Sequence, residues 1–166
     1  MNERNYRENE EGLRKIRTLI DEQKTVMIAS QLDKTPFSVC PMILQQMDDK
    51  GDLWFFTSKD SALYKDIEKD NRVQIIYSDE RKQKYLSMFG NATHIIDREK
   101  REELWNCTML KWFTGKEDPD LALLSVNLQN SYFWDSENNK PVPFFPMDQI
   151  SRKKSSKEDE KGYVNL

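Results

Sequence analysis

Apolar residues recur at helical spacing from about Asn9 to Glu22, where Leu13, Ile16, Leu19 and Ile20 share one face, and this predicts an amphipathic helix. The period then shortens to two. Thr25 to Leu32, with Val26 and Ile28, predicts a strand that ends at the turn signal Asp33-Lys34-Thr35-Pro36, and a second run from Phe37 to Gln46 completes a hairpin. After the polar turn Asp48 to Asp52, Leu53 to Thr57 is a short strand dense in aromatics. Leu63 and Ile67 with their neighbours predict a short helix up to about Asp70, capped by Asp60 or Ser61. Val73, Ile75 and Tyr77 alternate as in a strand. Tyr85 to Ile96 is a longer one, with Leu86, Met88, Ala92 and Ile96 on one parity and Ser87, Asn91 and Thr93 on the other.

Asp97 reads as the cap of a charged helix carrying Leu104, Trp105 and, seven residues on, Trp112. On such a helix the two tryptophans fall on one stripe, with Phe113 beside the second. Gly115 to Asp120 breaks it, and two last strands follow, Leu121 to Leu128 and Ser131 to Asp135. Antiparallel hairpins dominate, and the helices are too few for repeated βαβ units. A small closed or partly split barrel with helices outside is the expected architecture, mainly β within the α+β class. Residues 1–147 read as one domain. From Asp148 the chain lacks apolar periodicity through Arg152-Lys153-Lys154 to Lys161, so residues 148–166 read as a flexible charged tail.

Charged residues make up 33% of the chain at a net charge of −3, with both signs interspersed. That argues against a general nucleic-acid binder. Cys40 and Cys107 lack zinc or redox spacing and predict no disulfide framework, which fits a reducing compartment. No run is long and apolar enough to span a membrane, and Met1 to Glu11 lacks the apolar core of a secretory signal, so the expected location is the cytoplasm. The aromatic content of 11%, with four tryptophans, needs a core, an interface or a ligand to cover it.

Candidate chemistry is sparse. His94 shares parity with the apolar face of its strand and reads as a partly buried, hydrogen-bonded residue, since neither a second histidine nor a convergent metal-ligating set accompanies it. No catalytic residue and no metal site is predicted, and Cys40 as a nucleophile lacks an evident base. One segment stands out: Trp54 to Leu63 brings together a strand end, the hydroxyls of Thr57, Ser58 and Ser61, and a helix start. Free amides and hydroxyls at a helix N-terminus can hold a phosphate, although Ser and Asp there are also ordinary caps.

Cys40-Pro41-Met42, Gly51-Asp52-Leu53-Trp54-Phe55-Phe56-Thr57-Ser58, Asp60-Ser61-Ala62, Asn71-Arg72-Val73, Gly90-Asn91-Ala92, Glu103-Leu104-Trp105-Asn106, Lys111-Trp112-Phe113 and Tyr132-Phe133-Trp134-Asp135-Ser136 together form a joint pattern. It resembles the general stress protein 26 group of the pyridoxamine phosphate oxidase-like FMN-binding split barrels, over about Leu13 to Ser136. The resemblance implies a six-stranded antiparallel split β-barrel with flanking helices, paired as a homodimer with FMN in a groove between subunits. It implies that the strand from Cys40 to Gln45, with Cys40, Pro41, Met42 and Ile43 in the cofactor site, runs along the flavin ring and ribityl chain with its backbone. It also implies that Thr57, Ser58 and Ser61 face the phosphate, that Phe56 and Leu63 belong to the cofactor site as well, and that Tyr85, Trp112 and Trp134 approach the ring.

Where the family usually carries Arg-Pro-Met and Ser-Ala-Lys, this chain has Cys40-Pro41-Met42 and Ser61-Ala62-Leu63. Each charge-assisted hydrogen bond so lost weakens phosphate binding by on the order of 1.5–3 kcal/mol, unless Lys59, Lys65 or Arg72 substitutes. The resemblance therefore leaves two expectations. One is an FMN-dependent oxidoreductase of unknown substrate, and the other a non-catalytic dimer with weakened FMN binding that stores or senses flavin.

Overall fold

A computed structural model of the chain describes residues 3–136 and 159–166. Helix α1 (Glu3–Leu19) leads into strands β1 (Thr25–Ser30), β2 (Ser38–Met47) and β3 (Leu53–Ser58), helix α2 (Ala62–Lys69), and strands β4 (Arg72–Asp79) and β5 (Lys84–Ile95). Helix α3 (Arg98–Leu104), a 3-10 turn over Cys107–Lys111, and strands β6 (Leu121–Ser136) and β7 (Asp159–Asn165) complete it. The sheet runs β3-β2-β1-β4-β5-β6-β7, and β3 also pairs with β6. That extra pairing closes the first six strands into an antiparallel barrel, as expected for a split-barrel fold.

Strand alternation fills the barrel. Val26 and Ile28 of β1, Leu44 of β2, Leu53 and Phe55 of β3, Val73, Ile75 and Tyr77 of β4, and Leu86 and Met88 of β5 are buried together with Leu124 and Val126 of β6. Ile16, Leu19 and Ile20 join that core, so the apolar face of α1 covers one mouth of the barrel. A second, smaller core lies outside the wall. There Phe56, Leu121 and Leu123 pack with Leu104, Met109 and Phe113. The aromatics of β3 therefore divide by parity: Phe55 points into the barrel and Phe56 into the outer layer beneath α3 and the 3-10 turn.

Three expectations are corrected. The helix after Asp97 stops at Leu104, because Asn106 caps a new turn by accepting from the Thr108 N–H at 3.2 Å, while its own amide donates to the Leu104 carbonyl at 3.2 Å. Trp105 and Trp112 consequently do not share a stripe: Trp105 packs edge-on against Phe56 with centroids 6.1 Å apart, and Trp112 is 59% exposed. The two final strands are one, β6. A bulge opposite Phe89 and Gly90 absorbs the Gln129 irregularity, so pairing to β5 continues from Ile95↔Leu123 to Lys84↔Asp135. Finally, part of the charged tail is not loose. Asp159–Asn165 pairs with the free edge of β6 through backbone bonds that polar residues make as well as apolar ones, while residues 148–158 lie outside the described residues. Gly12 lets α1 approach this strand closely, since a Cβ there would meet Val164 Cγ1 at 2.2 Å.

Gly90 marks the tightest point of the wall: a Cβ would stand 2.4 Å from the Asn127 carbonyl oxygen. The obstacle is backbone and cannot swing aside. Gly90→Ala is expected to lower the unfolding free energy by about 1–3 kcal/mol, the range for overpacking, read as a lower urea midpoint at unchanged m-value. An unchanged midpoint would show that β5 and β6 are farther apart than described.

Candidate functional site

The barrel is open along one seam. β2 pairs with β3 from Met47↔Leu53 to Leu44↔Phe55, where the register shifts between Leu44 and Gln46. Beyond that point β2 follows β1 alone, from Thr25↔Ile43 to Ser30↔Ser38, while β3 follows β6 from Phe56↔Leu123 to Ser58↔Leu121. Among the described residues no strand lies beside the other edge of Ser38–Ile43, so backbone groups of that edge face a cleft.

A cavity of about 440 Å³ fills this seam, lined by Thr25, Cys40, Pro41, Met42 and Ile43 on one side and by Phe56, Thr57, Ser58, Ser61, Ala62 and Leu63 on the other. Met109, Trp112 and Phe113 from the outer layer form its remaining wall. Ten of the twelve residues anticipated from sequence meet here. Tyr85 and Trp134 do not. They face each other across β5 and β6, near the end of β6 opposite Leu121, and the Trp134 ring lies tilted against Tyr132 with centroids 4.8 Å apart. Thr25, Ala62, Met109 and Phe113 line the cavity without having been anticipated as site residues. Met109 reaches it because the turn at Asn106 redirects the chain, which residue spacing alone does not announce.

The hydroxyl turn is internally bonded. Ser61 caps α2, accepting from the Tyr64 N–H at 3.1 Å, and its oxygen lies 3.0 Å from Thr57 Oγ1. Ser58 donates to Asp120 Oδ2 at 2.5 Å and accepts from the Asp60 N–H at 3.1 Å. None of the lining residues is charged. Lys59 and Lys65 are exposed, and Arg72 is clamped on Asp70, whose carboxyl it holds down at about 2, chiefly through a side-chain hydrogen bond. Asp66 of α2 is buried, accepting from Ser30 Oγ at 2.9 Å and from the Gln31 amide. Burial, and after it the Asp66 charge, push the Cys40 thiol up. The chemistry at hand is an apolar slot with polar backbone on one edge and a few hydroxyls at one end. His94, outside the cavity, stacks on Tyr64 at 3.8 Å with Nε2 3.2 Å from the Tyr64 carbonyl.

Comparison with known proteins places the chain. The profile of a family described as "Pyridoxamine 5'-phosphate oxidase like" matches residues 11–158, nearly its whole length. The chain belongs to that family. General stress protein 26 of Bacillus subtilis is 25% identical over 89 residues, which are 52% of this chain and 64% of that protein, so the chain matches just under two thirds of this relative's length. Among solved structures, the general stress FMN/FAD binding protein of Xanthomonas citri is 28% identical, with a TM-score of 0.66 over 83% of this chain and 98% of that one. General Stress Protein 26 of Bacillus anthracis, at 24% identity and a TM-score of 0.64, covers 73% of this chain and 92% of its own, and shares the fold.

The family's cavity position occupied here by Cys40 is directly testable. Exposed Cys107 is expected to react first with a maleimide, and Cys40 to react slowly with a pH profile displaced above that of an ordinary thiol. Asp66→Asn should move the profile back down, read by mass spectrometry of the labelled peptides. Equal rates at the two cysteines would place Cys40 in open solvent.

Proposed function

We propose that the chain is a flavin-binding protein whose seam between β2 and β3 receives the isoalloxazine ring and its side chain, with FMN the form the family implies. One observation carries this reading: an apolar slot stands beside a stretch of β2 whose edge no other strand pairs among the described residues. A planar heterocycle with polar atoms on one rim and apolar faces matches that combination, and a purely apolar ligand would leave the edge unsatisfied. The relative from Xanthomonas citri, named for FMN/FAD binding, supports it. Pro41, Met42 and Ile43 with Phe56, Met109, Trp112 and Phe113 would hold the ring, and Thr57, Ser58 and Ser61 the end of its side chain. A bound flavin would supply two-electron redox chemistry, while the chain's residues orient it and keep water from one face. Proton handling falls outside the lining, because Cys40 is its single titratable side chain and burial keeps that thiol protonated. This last point favours a second reading, a flavin store or sensor without turnover.

Among the described residues, the outer face of the sheet next to the seam carries exposed apolar side chains. Met27 lies between Pro41 and Ile76 in register, and Met27, Val39 and Ile76 are 40%, 50% and 44% exposed. A second copy of the chain would bury this face, and it could bring Tyr85 and Trp134 toward its partner's cavity, where the chain's own copies do not reach. The protein is accordingly read as a homodimer, at home in the cytoplasm.

Flavin titration is expected to quench flavin fluorescence with one site per chain. Trp112→Ala, at an exposed position, should weaken binding by about threefold to tenfold, the worth of one aromatic stack. Saturable quenching that ignores Trp112 would move the site elsewhere. In a separate measurement, Met27→Glu with Ile76→Glu should convert a dimer to a monomer in light scattering and reduce flavin affinity in parallel. A monomeric parent chain would remove the dimer from the reading.

A further inference from the structure

We infer that the cavity selects a flavin that lacks the phosphate, an uncharged ring with a neutral hydroxylated side chain, over the phosphomonoester FMN. The inference rests on the flavin reading above and adds the charge of the ligand. Its basis is the inventory of protons and charges at the hydroxyl end.

Three hydroxyls stand there with three protons. Ser58 gives its proton to Asp120 at 2.5 Å, and its oxygen already accepts from the Asp60 N–H. Thr57 and Ser61 share one hydrogen between oxygens 3.0 Å apart, and the Ser61 oxygen also accepts from Tyr64 N–H. One hydroxyl proton is left. A phosphate dianion brings three strong acceptor oxygens and no donor, so most of its oxygens would find nothing from these side chains. An alcohol brings its own proton, and it can donate to the oxygen of Thr57 or Ser61 as well as accept.

Charge points the same way. No lining residue is cationic, Leu63 being an apolar, buried side chain at the first turn of α2. The Arg72 guanidinium is committed to Asp70, and Lys59 and Lys65 are exposed to solvent. Two carboxylates stand behind the lining instead: Asp120 at the Ser58 hydroxyl, and buried Asp66, close enough to Cys40 to raise its thiol. The N-terminus of α2 offers about half a positive charge. Against it stand the Asp66 and Asp120 side chains, the former on the same helix.

The test titrates the full chain with riboflavin and, in parallel, with FMN at low ionic strength, following flavin fluorescence. Riboflavin is expected to bind more tightly than FMN by about threefold or more. Cys40→Arg with Leu63→Lys should shift the ratio of the two dissociation constants toward FMN by about tenfold. Because Leu63 is buried and its replacement endangers folding, Asp120→Asn serves as a second variant, expected to shift the ratio in the same direction by removing one carboxylate. Parity, or a preference for FMN in the parent chain, overturns the selection while leaving the flavin reading in place, and so does a ratio that moves in neither variant. Binding of neither flavin overturns both.

Discussion

A buried amide sits where β2 leaves β3, and the seam depends on it. Gln45 is 4% exposed at the register shift between Leu44 and Gln46. Its Oε1 accepts from Asn106 Nδ2 at 2.8 Å and from Gln23 Nε2 at 3.3 Å, while its Nε2 donates to the Ile43 carbonyl at 3.2 Å. A polar side chain in such a place must be satisfied or it destabilises the fold. The partners that satisfy it come from the turn before β1 and from the turn after α3. The same three bonds therefore fix the point of divergence and seat the 3-10 turn that carries Met109 to the cavity wall. Seam and wall are set by one network.

Much of this was legible from residue patterns, because the strands bury one face and alternate accordingly. Leu86, Met88 and Ala92 point into the barrel with the parity their spacing predicts, whereas Ile96, expected on the same face, lies past the end of β5 and is 99% exposed, and of the two expected caps of α2 it is Ser61 that serves. What failed depends on partners distant in sequence. Asn106 looks like any helix-tolerant polar residue until Gln45, sixty-one positions away, draws its amide and the helix ends. The bulge in β6 preserves pairing across Gln129-Asn130, where polar residues read as a turn. The charged stretch ending at Asn165 gains order from the edge of β6, a backbone template that carries no side-chain signature.

The site divides along the same line. Ten anticipated lining residues converge because family spacing reports the backbone path, and that path is held by barrel closure. Tyr85 and Trp134 stand apart from it, because they pair with each other across β5 and β6, away from the seam. Nor could the sequence show that Ser58 spends its proton on Asp120 or that Arg72 is held by Asp70. A hydroxyl counted as a donor in sequence becomes an acceptor once a carboxylate lies within reach.

Binding shape and binding charge are thus separable in this fold. The slot is made by strand divergence and by apolar side chains from two cores, and neither feature requires a cation at position 40 or 63. Cys40 and Leu63 keep the walls intact, because both side chains pack as small or medium apolar groups within the lining. Acidic side chains stand behind that lining. Asp66 accepts from Ser30 and Gln31, and Asp120 accepts from Ser58. Hydroxyls and amides that bond to carboxylates in this way are withdrawn from any ligand. A lining without cations offers an anion no direct attraction, and the Ser58 proton beside it is already given to an acid of the protein itself.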